Sequence, residues 1–157
     1  MPEAIPKTEQ RVQLHTAGCI NEKIQRETEA RILFYSQRLK DIEQRLNELE
    51  CEWDIERVLE TQASNLILLG LLFGTAINRK WYILSAGVAG FFLQHALLGW
   101  CPPVPILRRL GVRTTSEINH ERYALKAIRG DFDEVNSKSD ASVQVKAEKA
   151  INAAKIR

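Results

Sequence analysis

"WYILSAGVAGFFLQHALLGW", residues 81–100, contains no charged side chain, and how it is read decides the fold. A helix rises 1.5 Å per residue, so about 20 apolar residues cover the roughly 30 Å of hydrocarbon in a bilayer. Trp81 and Tyr82 stand at one end and Trp100 at the other, where amphipathic rings settle at the two membrane–water boundaries. Upstream, "ASNLILLGLLFGTAIN", residues 63–78, is a second uncharged segment whose apolar core is confined to residues 66–77. Only Asn78, Arg79 and Lys80 join the two, so an antiparallel transmembrane hairpin is expected. The competing reading buries the first segment inside a soluble helical protein, but the second is hard to hide in so small a domain.

Both segments carry small residues four apart, Gly70 and Gly74 on the first and Ala86 and Gly90 on the second. Such faces let helix backbones approach closely in lipid, either within the hairpin or between copies. Orientation follows from basic residues near the ends. Arg79 and Lys80 lie in the turn, against Arg45 and Arg57 before the hairpin and Arg108, Arg109 and Arg113 after it. The balance predicts both termini in the cytoplasm.

The rest of the chain is ordinary by comparison. A length of 157 residues suits one domain, and averages of 45% apolar and 27% charged residues conceal the uneven placement of charge. A net charge of +2 makes no case for a nucleic-acid partner. Cys19, Cys51 and Cys101 are odd in number, far apart and without a C-x-x-C pair. That argues against a disulfide framework and fits reduced thiols facing a cytoplasm. "MPEAIPKTEQRVQLH" at the start has no basic region leading into an apolar run, so no cleavable secretory signal is expected.

Residues 1–20, with Pro2, Pro6 and Gly18, read as a flexible arm. Residues 21–62 hold neither Gly nor Pro and are rich in Glu, Arg, Gln and Leu, which predicts one long cytoplasmic helix opened by Asn21. Ile32, Tyr35, Leu39, Ile42, Leu46, Leu49 and Trp53 step by threes and fours, the rhythm of a coiled-coil seam. In a parallel pair, Arg38 meets Glu43, Arg45 meets Glu50 and Glu52 meets Arg57, each with opposite charge. Exposed pairs of this kind contribute about 0.2–1 kcal/mol each. A homodimer or a coiled-coil protein partner is expected. The alternative is one amphipathic helix lying on its own protein or on lipid.

After Trp100, Pro102, Pro103 and Pro105 are expected to stop the spanning helix. Residues 106–110 then read as a short interfacial helix placing Arg108 and Arg109 among anionic headgroups before Gly111 ends it. Thr114 and Glu117 have capping-box spacing for a further helix closed by Gly130, so residues 101–130 form interfacial and cytoplasmic basic helices. Residues 131–157 read as a flexible or weakly helical tail.

Little points to chemistry. His95 and Cys101 are six apart, which on a continuous helix sets them on different faces. No metal-ligand spacing, glycine-rich phosphate loop or nucleophile motif is present, so neither metal nor cofactor nor catalysis is expected, and any small-molecule ligand is unspecified. Asp54, Glu56 and Glu60 read as a solvated helix face. His95 reads as a neutral histidine hydrogen-bonded near the membrane boundary. Cys101 is the candidate reactive thiol, with Arg108 and Arg109 near in sequence to favour a thiolate.

The run "GWCPPVPILRRLGVRT" after a small-residue-rich hairpin resembles the YgaP-like transmembrane domain family, through Gly99, Cys101, Pro102, Leu110, Gly111 and Thr114. The resemblance covers about residues 61–115. It implies two spanning helices in a bacterial inner membrane, cytoplasmic termini and a tendency to dimerise, with no established activity. The rhodanese domain found in some members is lacking here, and the long heptad helix stands in its place.

The expected fold is all-α: a transmembrane hairpin (residues 63–78 and 81–100) preceded by a coiled-coil-like helix and followed by short amphipathic helices. The expected function is a membrane anchor or scaffold that dimerises or binds a partner through its heptads. The alternative is a thiol-linked membrane component handling reactive sulfur or a small anion through Cys101.

Overall fold

Helix boundaries in this chain are set by a few capping residues rather than by breaks in apolar pattern. A computed structural model describes residues 10–133 and 143–154. The described residues are helical, without a strand: α1 (Arg11–Leu14), α2 (Gly18–Ser36), α3 (Ile42–Cys51), α4 (Ile55–Ala76), α5 (Tyr82–Leu98), α6 (Pro103–Arg109), α7 (Thr115–Arg129) and α8 (Val143–Ala154). Single 3-10 turns, Leu39–Asp41 and Arg79–Trp81, lead into α3 and α5. The chain divides into two compact units. One joins the residues up to Gln25 with Trp53–Ser116, and the other joins Arg26–Glu52 with the residues from Glu117 onward.

In the first unit, Asp54 starts α4. Its backbone is extended and its Oδ1 accepts the Arg57 N–H at 2.8 Å, satisfying one of the donors that a helix start leaves open. The Ile55 N–H is taken by the Arg113 carbonyl at 2.9 Å. Residues 21–62 therefore do not form the single helix expected from their composition. The chain leaves the helix after Ser36 and again after Cys51. Capping at Asp54 and tertiary packing override a uniformly favourable helix propensity.

α4 and α5 lie side by side and antiparallel, since Gly70 faces Ser85 while Gly74 faces Tyr82. A Cβ at Gly70 would fall on Ser85 Oγ, and one at Gly74 on the Tyr82 ring. Ser85 Oγ donates to the Ile67 carbonyl at 3.0 Å across the contact. The expected small-residue face of α4 is thus an internal one. That of α5 is not: Ala86 and Gly90 are exposed, and a Cβ at Gly90 would meet nothing within 4 Å. Side chains three or four apart share a helix face, and the buried face of α5 runs through Ser85, not Ala86.

Two helices in the described residues are long and apolar enough to cross a membrane. Only 22% of the most apolar part of Leu39–Ala76, a stretch that takes in α3 and α4, and 11% of that of Arg79–Leu98 is buried. A core helix of a soluble protein would be mostly covered. Here Leu68, Leu72, Ile77, Ile83, Leu93 and Leu97 all stand open. Trp81 and Tyr82 are exposed at the turn end, and Trp100 is half-buried at the open end.

Gly99 stops α5, in the left-handed region at φ 78°, with its N–H on the His95 carbonyl at 2.7 Å. The prolines begin α6 instead of ending α5: Pro102 precedes its first turn and Pro103 opens it, where a missing N–H costs nothing. α6 turns Val104, Leu107 and Arg108 inward. Arg108, expected among headgroups, is fully buried, donating to Asn21 Oδ1 at 2.9 Å and to the Val112 carbonyl at 3.1 Å. It lies four residues after Val104 and so shares its face. Arg109 is exposed, beside Ile106 and Leu110. The unit's core is Val12, Ile55, Leu59, Cys101, Val104 and Leu107. Val12 and α1 tie down part of the stretch expected as a loose arm, and residues 1–9 lie outside the described residues. Asn21 sits within α2 rather than at its start, its Nδ2 donating to the Gln13 carbonyl.

In the second unit, Ile42, Leu46 and Leu49 of α3 pack with Ile118 and Leu125 of α7. Three residues of the expected intermolecular seam are therefore core within the chain, while Leu39 and Trp53 are exposed. Glu121 is fully buried, accepting from Arg45 Nε at 2.8 Å and Arg31 Nε at 3.2 Å. Arg45 also reaches Glu48 and Glu52. Its partners thus lie in its own chain. The apolar rhythm was real, but a periodic face does not name the helix it meets. α8 occupies part of the tail, and Lys126 Nζ donates to its Ala153 carbonyl at 3.1 Å. Residues 134–142 and 155–157 of that tail lie outside the described residues.

Candidate functional site

At the open end of the α4–α5 pair the first turn of α4 meets the last turn of α5. Glu56, on α4, faces His95, on α5, with Oε2 2.9 Å from Nε2. Its other oxygen, Oε1, accepts from Arg11 at 3.2 Å. Arg11 in turn donates to the Ala96 carbonyl at 2.6 Å, one of the acceptors that the end of α5 leaves open. Gly99 lets this happen, because a Cβ there would strike the Arg11 side chain and backbone. Glu56 is therefore a paired carboxylate and not part of a solvated face. The hydrogen bond to His95 holds its carboxyl below the usual 4.5, with the Arg11 charge adding to the effect and burial opposing it.

His95 is 1% exposed. A carboxylate only accepts, so Nε2 carries the hydrogen of the Glu56 contact. Nδ1 is buried without a hydrogen-bond partner. The Cys101 thiol also acts on the ring. Cys101 is 4% exposed and belongs to the core. His95 and Cys101 fall on different faces only of a helix that runs through both. The left-handed step at Gly99 ends that helix before Cys101, so helix spacing does not relate the two residues. A glycine just past a long apolar run was the available signal for this turn.

Cys101 also forms part of the wall of an apolar cavity of about 260 Å³. Leu59, Ala63 and Leu66 of α4 and Phe91 and Phe92 of α5 supply most of the rest, and Gln62 brings the polar side chain at its edge. The volume approaches the ~300–1,000 Å³ of sites that bury drug-sized ligands, and a lining this apolar favours apolar contents over water.

The other sequence-flagged residues fall elsewhere. Leu110, Gly111 and Thr114 follow α6 as its stop and exit, with Gly111 left-handed at φ 85°. Pro102 joins Cys101 in the cavity wall, while Arg108 and Arg109 take no part in it. Cys19 and Cys51 are exposed free thiols. No group of three or more His, Cys, Asp or Glu able to hold a metal occurs among the described residues. The sequence reading missed Glu56 and Arg11. The short turn at Asn78–Lys80 already placed the start of α4 opposite the end of α5, which was the signal for Glu56. Nothing local marked Arg11. The Glu56 carboxylate on one ring nitrogen fixes the orientation of the buried His95 ring. No family model, no curated protein and no solved structure matches the chain.

Proposed function

We propose that α4 and α5 form a transmembrane hairpin whose open end carries a working thiol, Cys101, with His95 as its proton partner and Glu56 orienting the ring. The observation that carries this reading is His95 itself: a fully buried imidazole held by Glu56 on one nitrogen, unpartnered on the other, and flanked by Cys101. A histidine kept only for packing would not need a carboxylate, an arginine and a thiol assembled from three separate segments.

The exposed leucines and phenylalanines of both helices support the membrane placement, since in water they would form an apolar surface far larger than single scattered residues. Basic residues flanking the hairpin support cytoplasmic termini, because that bias acts on the chain as it inserts, whether or not Arg108 is later buried. The resemblance to the YgaP-like domains supports a bacterial inner membrane. Scaffolding through a heptad seam has less behind it, because Ile42, Leu46 and Leu49 are occupied within the chain. The test has two arms in inverted and intact membrane vesicles. Carbonate should fail to extract the protein, and a Lys80→Cys variant lacking the native cysteines should react with an impermeant maleimide only from the non-cytoplasmic side. Extraction by carbonate would remove the membrane reading.

A further inference from the structure

We infer that Cys101 is an acyl acceptor: it takes a fatty acyl group from a soluble acyl thioester and holds it as a thioester, with the start of the acyl chain in the apolar cavity. The inference rests on the thiol reading above and deepens it by naming the substrate class.

Three observations converge. Cys101 is one of the residues that line the cavity. The remaining walls are mostly aliphatic and aromatic, from Leu59, Ala63, Leu66, Phe91 and Phe92, with Gln62 as the polar member. Small anions and polysulfides need cationic or donor-rich walls, and the nearby arginines do not supply them: Arg108 donates to Asn21 and Val112, and Arg109 is exposed. An alkyl chain needs only apolar walls and an exit. The cavity is partly open, and the α4 and α5 surfaces are apolar where Leu66 and Phe91 leave it, so the distal chain can continue along the hairpin into lipid.

The chemistry balances without an oxidant or reductant. The Cys101 S–H proton passes to the His95 ring, whose Nδ1 has no other partner. Sγ attacks the acyl carbonyl carbon and forms the new C–S bond. The C–S bond of the donor breaks, and the departing thiolate takes the proton back from His95. One thioester replaces another, so the exchange is reversible and the acyl group can be passed on.

The experiment uses the full chain in detergent micelles with a terminal-alkyne palmitoyl-coenzyme A, followed by mass measurement and hydroxylamine cleavage. The expected result is one hydroxylamine-labile acyl group on Cys101, absent in Cys101→Ser, with little on Cys19 or Cys51 although both are exposed. His95→Gln should slow acylation on the order of 10²-fold. Ala63→Phe, which fills the cavity, should block the palmitoyl probe while Cys101 still reacts with methyl methanethiosulfonate. Acylation no faster on Cys101 than on Cys19 and Cys51, or unaffected by Ala63→Phe, overturns the inference. Reaction of Cys101 with the small reagent, dependent on His95 but without acyl transfer, would overturn it and leave the thiol reading standing. Failure of Cys101 toward both probes would sink both.

Discussion

Glu56 Oε2 and His95 Nε2 stand 2.9 Å apart although 39 positions separate them in sequence. The contact closes the open end of the α4–α5 pair, and Arg11 fastens it from a third segment through Glu56 Oε1 and the Ala96 carbonyl. Structure and chemistry are thus joined in one carboxylate, and several expectations follow from it and from its surroundings.

Glu56→Gln keeps the shape but removes the charge that faces Arg11 and His95. The loss of two charge-assisted hydrogen bonds should lower stability by about 1.5–3 kcal/mol, read as a drop in the thermal midpoint in detergent. The wild type should also be acid-sensitive in a way that the variant is not. The Glu56 carboxyl is held below its usual 4.5, so its contribution is complete above that value and is lost as pH falls through the depressed folded value. Parallel stability–pH curves for the two proteins below pH 4.5 would refute the assignment.

The glycines should divide by position. Gly70→Ala puts a methyl onto Ser85 Oγ, and Gly74→Ala puts one onto the Tyr82 ring. Each should cost about 1–3 kcal/mol of overpacking. Gly87→Ala and Gly90→Ala meet nothing within 4 Å and should be neutral or gain up to about 1 kcal/mol from helix propensity. Thermal unfolding of the four variants separates an internal α4–α5 contact from one between copies, for which Gly90 would be the sensitive position.

Glu121 offers an independent check on the second unit. Its buried carboxylate joins Arg31 and Arg45, so Glu121→Ala takes a buried acceptor from both guanidinium groups and leaves a void, although Arg45 keeps Glu48 and Glu52. A loss of about 1–3 kcal/mol is expected. A variant as stable as the wild type would mean that these arginines have another arrangement.

Leu46 and Leu39 test where the heptad face is used. Leu46 is buried with Ile118 and Leu125, and Leu46→Ala should cost about 2–5 kcal/mol at any protein concentration. Leu39 is 61% exposed, and Leu39→Ala should change stability by less than about 0.5 kcal/mol. If stability instead fell with dilution and Leu39→Ala abolished that dependence, the seam would serve a second copy.

Local patterns gave away the local features. Two long uncharged runs, the stops at Gly111 and Gly130 and the apolar face of residues 42–49 are each written within about 20 residues, and each is found in the structure. What the sequence concealed depends on where segments meet. The same rhythm of Ile42, Leu46 and Leu49 serves a partner helix equally well whether it is α7 or another chain, so period alone could not choose. Asp54 looked like one more acid on a helix until its extended backbone made it a cap. Prolines 102, 103 and 105 looked like a stop because a proline breaks a helix interior, yet the same residues suit a first turn. The site was the least legible part. Glu56, His95 and Cys101 come together only when the register of α4 on α5 is combined with the left-handed turn at Gly99, and helix spacing is blind to both.

The most direct test of the account is the rate at which Cys101 in intact membranes reacts with N-ethylmaleimide, in a Cys19→Ser/Cys51→Ser background. If Glu56 orients His95 and His95 serves the thiol, Glu56→Gln should slow the reaction about tenfold or more, while circular dichroism shows the helices intact. Equal rates in the two proteins would contradict the account, reducing the Glu56–His95 contact to a structural tie and leaving Cys101 as a core residue.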